Sequence, residues 1–152
     1  MHVQNRTRTT LAGFTLVVGA LAVLATGAVH LDEYVGDGFS TVPTIGTLFL
    51  LNFIASAIVG VALLLPLRRL AKRFATPFRA LLALSGVGIG ATSLIALWIS
   101  ESSSLFGFSD YGFRPTIVAA IVAESIAVLA LTAYLALDSP RLLHPRMRLR
   151  TQ

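Results

Sequence analysis

One ionisable side chain stands inside an otherwise apolar run. Glu124 lies within residues 115–137, among alanine, valine, isoleucine and leucine. A carboxyl in that position costs about 2.5–3.5 kcal/mol even on insertion scales, so it marks a function or a specific partner by default. It can exchange a proton or couple to a substrate if water reaches it, it can hydrogen-bond as a staple between helices, or it can meet another subunit. The sequence leaves these three open. Other polar residues fall at a matching depth. Asn52 is eight residues inside Thr44 and Glu124 eight inside Thr116, which at 1.5 Å per residue puts both about 12 Å below the outer boundary. Thr92 and Ser93, counted inward from Ser100, reach nearly the same level. We therefore expect a polar layer of Glu124, Asn52, Ser56, Thr92 and Ser93 in the outer half of a helical bundle, where the carboxyl can hydrogen-bond away from lipid.

A second group gathers where the first apolar run ends. His30 and Glu33 stand at i and i+3, with Asp32 and Asp37 close in sequence and Glu101 and Asp110 on the same face of the membrane. Imidazole and carboxylates can ligate a divalent cation. One histidine among scattered acids is a weak pattern, however, and such residues are ordinarily solvated or paired with a nearby cation, here Arg114. No metal is expected. Haem held by two histidines is excluded, because His2 and His144 lie on the opposite side from His30, and no lysine occurs in a span to carry a Schiff base. The run Gly86-Val87-Gly88-Ile89-Gly90 sits in mid-span, where it reads as helix packing rather than a phosphate loop. With no cysteine, thiol chemistry is excluded. We expect no enzymatic activity and no cofactor.

The elements that must position these residues are four apolar runs, 11–29, 44–66, 80–99 and 115–137, of 19, 23, 20 and 23 residues. Each meets the length of about 20 residues needed to cross a bilayer as a helix. The chain of 152 residues is 55% hydrophobic and 12% charged, with a mean hydropathy of +0.80, which excludes a soluble enzyme, a disordered tail and a nucleic-acid module. The expected fold is all-α, a single transmembrane four-helix bundle. Arg6 and Arg8, an apolar run and then Ala25-Thr26-Gly27-Ala28 also follow the order of a secretory signal. The run is longer than a usual signal core, so we expect the span to be retained.

The cations set the orientation. Arg6 and Arg8 precede the first run; Arg68, Arg69, Lys72, Arg73 and Arg79 lie between the second and third; Arg141, Arg146, Arg148 and Arg150 follow the fourth. Eleven of the twelve Lys and Arg thus share one side, with Arg114 on the other. By the positive-inside rule both termini are expected in the cytoplasm. The basic side, Arg68, Arg69, Lys72, Arg73, Arg146, Arg148 and Arg150 above all, suits anionic lipid headgroups or a partner. The same bias explains the pI of about 10.8 without invoking nucleic acid.

Helices associate in lipid through small residues and polar contacts. Such stripes occur at Thr15, Gly19, Ala22, Thr26 and His30; at Asn52, Ala55, Ser56 and Gly60; and at Ala120, Ala123, Ala127 and Ala130, with Glu124 at the edge. The third run has two, Ser85, Gly88, Thr92, Ala96 and Gly86, Gly90, Ser93, so it is expected to touch two neighbours. Pro66 and Pro77 are expected to flank the inner loop, and Pro43 and Pro115 to mark outer boundaries. Tyr34, Phe39, Phe106, Phe108, Tyr111 and Phe113, with Trp98 at a span end, suit a headgroup layer.

The segment His30-Leu31-Asp32-Glu33-Tyr34, followed by Val42-Pro43-Thr44-Ile45-Gly46-Thr47-Leu48-Phe49-Leu50-Leu51-Asn52, resembles a stretch of small, uncharacterised four-span membrane proteins of high-GC bacteria. Gly112-Phe113-Arg114-Pro115 resembles it less closely. Eleven arginines to one lysine fit such a genome. The resemblance implies a multi-pass protein of the bacterial inner membrane and carries no activity. The expected role is a small accessory or assembly subunit, bound to other membrane subunits or to copies of itself. The alternatives are a small proton-coupled carrier using Glu124 with Asn52, and a lipid-handling protein.

Overall fold

The apolar runs 11–29, 80–99 and 115–137 lie within longer helices, because backbone hydrogen bonding continues into the polar flanks after the apolar composition has ended, whereas the run 44–66 outlasts its helix by one residue at the start and two at the end. The structure is a computed structural model that describes residues 2–67, 74–104, 106, 107, 112 and 114–143, with backbone alone at 2, 3, 5 and 139–143. Helix α1 spans His2–Val35, α2 Ile45–Leu64, α3 Ala75–Ser102 and α4 Pro115–Leu143, with a short 3₁₀ turn at Phe39–Thr41 between α1 and α2. All four helices are long and apolar enough to cross a membrane, and no strand occurs among the described residues. The fold is all-α.

The ends follow local chemistry. Pro115 is the first residue of α4, where its missing N–H has no partner to lose. Pro77, expected to flank the inner loop where the next helix starts, lies in the first turn of α3 for the same reason. At the other end of the inner loop, α2 stops at Leu64 and Leu65 turns to an extended backbone ahead of Pro66, as the proline ring requires of its predecessor. Thr44, before α2, has φ 67° and ψ −56°, and the Ile45 N–H donates to the Pro43 carbonyl at 2.8 Å. This is a γ-turn of positive φ, a strained conformation for a β-branched residue.

The helices do not pack as a closed square. α1 lies against both α2 and α4, and α3 against α4, whereas α2 and α3 meet much more sparsely. The close contacts rest on glycine: a Cβ on Gly27 of α1 would stand 2.8 Å from the Ser56 Cβ of α2, and one on Gly90 of α3 would stand 3.1 Å from the Glu124 carbonyl oxygen of α4. The half of the bundle nearer the two chain ends, called inner after the expected orientation, is filled by Leu16, Ala20, Val23, Val59, Leu63, Ala83, Ala127 and Leu131. Phe14, Leu21, Ile58, Leu81, Trp98 and Leu129 point outward and are exposed, a surface suited to hydrocarbon.

Basic side chains tie the inner ends. Arg8 of α1 donates to the carbonyls of Leu137 at 2.8 Å and Ala136 at 3.2 Å on α4. Arg79 of α3 reaches the Leu65 carbonyl at the end of α2, 3.3 Å away. Two of the cations from which the orientation is expected thus also satisfy backbone oxygens toward helix C-termini.

Candidate functional site

The sparse α2–α3 seam leaves a cavity of about 410 Å³ in the outer half of the bundle. Ile45, Leu48, Phe49, Leu51 and Ala55 line it from α2, Ile89, Thr92, Ser93, Ala96, Leu97 and Ser100 from α3, and Ile117, Ala120 and Glu124 from α4, with His30 and Glu33 of α1 at the back. Leu48, Leu51 and Thr92 are exposed on the outside of the bundle, so the cavity opens sideways between α2 and α3. Its walls are mostly apolar, with His30, Asn52, Ser93 and Glu124 grouped at one level, Thr92 on the rim, and Glu33 and Ser100 nearer the helix ends.

At that level the hydrogen bonds run in one direction. The Ser56 hydroxyl donates to Asn52 Oδ1 at 3.1 Å, and the Asn52 amide donates to Ser93 Oγ at 2.9 Å. His30 Nδ1 lies 2.9 Å from the Thr26 carbonyl, one turn back on its own helix. A carbonyl only accepts, so Nδ1 carries the hydrogen and Nε2 of a neutral ring is the acceptor. The Ser93 hydroxyl, 3.2 Å from Nε2, then donates to it. Glu124 Oε1 stands 3.8 Å from the same Nε2, and Ser93 also faces this carboxyl. Ser93 has a single hydroxyl proton for two acceptors. A direct hydrogen bond between His30 and Glu124 requires a further proton on one of them. Glu124 is 2% exposed and His30 8%.

The outer end is closed by packing and charge. Phe39, in the 3₁₀ turn, meets Phe49 edge-on with centroids 5.2 Å apart, and Phe49 meets His30 in the same manner at 5.3 Å. The Arg114 guanidinium lies 5.4 Å above the Phe39 ring. It bonds Asp37 at 2.8 Å and approaches Glu33 at 3.9 Å. Toward the inside the polar chain stops at Ser56, which is fully buried, and Val23, Val59, Leu63 and Leu131 fill the space beyond.

The structure therefore gathers Glu124, Asn52, Ser56 and Ser93 of the expected layer and sets Thr92 apart. Thr92 stands on the cavity rim, with its hydroxyl on the carbonyls of Gly88 at 2.7 Å and Ile89 at 3.1 Å of its own helix. His30, expected at a solvated interface, is instead buried in the network, because α1 continues to Val35 and the Phe49 ring, itself backed by Phe39, packs on it. Glu33 is likewise buried, while Asp32 is exposed and Glu101 half-buried at the end of α3. Asp37 and Glu33 pair with Arg114, the loop cation expected to be available to them. Asp110, Arg68, Arg69, Lys72, Arg73, Arg146, Arg148 and Arg150 lie outside the described residues, as do Phe108, Tyr111 and Phe113. The stripe Gly86, Gly90, Ser93 faces the bundle. The other α3 stripe is partly unmatched, since a Cβ on Gly88 would meet nothing within 4 Å.

Fold and site together define a helical bundle of membrane-spanning type with a polar-backed cavity open to one side. Comparison of the chain with protein-family models, with curated proteins and with solved structures finds no match.

Proposed function

We propose that this is a non-enzymatic, multi-pass protein of the bacterial inner membrane, with both termini in the cytoplasm, that binds an amphiphilic ligand in the outer half of the bilayer. The observation that carries this reading is the cavity itself. Its volume of about 410 Å³ falls within the range of about 300–1,000 Å³ usual for ligand sites, and apolar walls with a few convergent polar groups are their usual lining. A ligand with an apolar body enters from lipid between α2 and α3 and presents its polar end to Ser93, His30 and Glu124. On this reading lipid is handled at the outer half, away from the basic loop on which the lipid-handling alternative rested. The test is native mass spectrometry of the full chain released from nanodiscs. Wild-type protein is expected to carry a bound amphiphile that Ala120→Phe, which fills the cavity, lacks. Identical small-molecule complements in the two proteins would refute the reading.

A second reading, an accessory or assembly subunit, is favoured by the α3 face at Ser85 and Gly88. Small residues let another helix approach closely in lipid, and Gly88 has open space before it. Purification in mild detergent distinguishes this role: co-purification with another subunit or with a second copy supports it, and a monodisperse single chain opposes it.

A further inference from the structure

Resting on the reading of the cavity as a ligand site, we infer that its ligand is a lipophilic organic cation, an amine or quaternary onium group carried on an apolar body. The argument is one of charge. Glu124 and Glu33 both line the cavity, and both side chains are buried. Among the described residues no Lys or Arg lines it. The nearby cation, Arg114, is shared between Asp37 and Glu33, closer to Asp37 by about an ångström (2.8 against 3.9 Å), and leaves Glu124 with His30 and Ser93 as polar neighbours.

An anionic headgroup entering this cavity would meet two carboxylates with one guanidinium at the far end. A neutral head would hydrogen-bond with Ser93, His30 and Glu124 but leave the carboxylate charge without a counter-charge. A cation gains a charge partner in a site of low polarity, where such pairing is strongest, and its apolar body takes the walls supplied by Leu48, Leu51, Ile89 and Ile117. A bare metal ion fits less well, since among the described residues no three His, Asp or Glu converge as ligands. Glu124, set against apolar walls, would face a diffuse charge rather than coordinate a compact one.

The experiment is equilibrium binding to the full chain in nanodiscs of zwitterionic lipid, with three probes of similar body: tetraphenylphosphonium, neutral triphenylphosphine oxide and anionic tetraphenylborate. Saturable tetraphenylphosphonium binding is expected, at least tenfold tighter than that of the other two, weakened at least tenfold by Glu124→Gln and abolished by Ala120→Phe. If the neutral or anionic probe binds as tightly as the cation and is still displaced by Ala120→Phe, the cation assignment is overturned while the cavity remains a ligand site. If none of the three binds saturably, both readings fall. The probe series on the unaltered chain decides the charge preference even if Glu124→Gln does not fold.

Discussion

His30 and Glu124 face each other across the contact between α1 and α4, with 3.8 Å between Nε2 and Oε1. They are separated by more than ninety positions in sequence and brought together inside a span by helix packing. Because the two stand 3.8 Å apart with Ser93 beside both, removing either side chain opens a void against the other and leaves it buried with Ser93 alone across the helix contact. An orphaned buried polar group costs about 1–3 kcal/mol. His30→Ala and Glu124→Ala should each destabilise the bundle by about that amount, and the double variant by less than the sum. The measure is a double-mutant cycle on unfolding in detergent, with an expected coupling of about 0.5–2 kcal/mol. Strict additivity would show that the two side chains do not interact.

Asn52 and Thr92 occupy similar depths but do different things. Asn52 joins α2 to α3 through Ser93 and also receives Ser56, whereas the Thr92 hydroxyl turns back on its own helix. Interhelical hydrogen bonds in membranes average about 0.6 kcal/mol and reach about 1.7. Asn52→Ala should therefore cost about 1–2 kcal/mol, and Thr92→Val less than about 0.5. Equal losses from the two would contradict the assignment of Thr92 to the rim.

The contrast also shows what a sequence can disclose about such a site. Counting residues from span ends gives depth, and depth alone selects Asn52, Ser93 and Glu124. It does not give rotation about the helix axis. Thr92 and Ser93 are neighbours about 100° apart, so when Ser93 faces Asn52, Thr92 turns to the rim. His30 presents the opposite difficulty. Its place at the end of an apolar run suggests a headgroup position, and its burial depends on Phe39 and Phe49, which only the α1–α2 connection brings over it. The helices themselves are legible because lipid imposes a length and an apolar composition on each. The open α2–α3 seam is not, since it follows from which small faces find each other: Gly27 finds Ser56 and Gly90 finds α4, and no comparable pairing joins α2 to α3.

That pairing of small faces is testable at two glycines. A Cβ at Gly27 would stand 2.8 Å from the Ser56 Cβ and 3.3 Å from the Phe53 carbonyl oxygen, while one at Gly88 would meet nothing within 4 Å. Gly27→Ala is expected to force α1 and α2 apart and cost about 1–3 kcal/mol, as overpacking usually does. Gly88→Ala gains helix propensity at no steric cost, and should be neutral or stabilising by up to about 1 kcal/mol. Thermal unfolding in detergent separates them. If Gly88→Ala proved the more damaging of the two in an isolated chain, the placement of α3 would be wrong.

The absence of cysteine from the chain permits a direct test of orientation. Ser103 is exposed just beyond α3, and Thr10 is exposed near the start of α1, two residues after the Arg8 that binds the inner end of α4. If the four runs span, eleven cations fall on one side, and the positive-inside rule predicts Thr10 in the cytoplasm and Ser103 outside. In intact cells a membrane-impermeant maleimide should label Ser103→Cys and spare Thr10→Cys, and permeabilised cells should label both. The reverse pattern would invert the protein. The cavity would then open to the cytoplasmic leaflet, and a ligand would have to be sought among molecules reaching it from the cell interior.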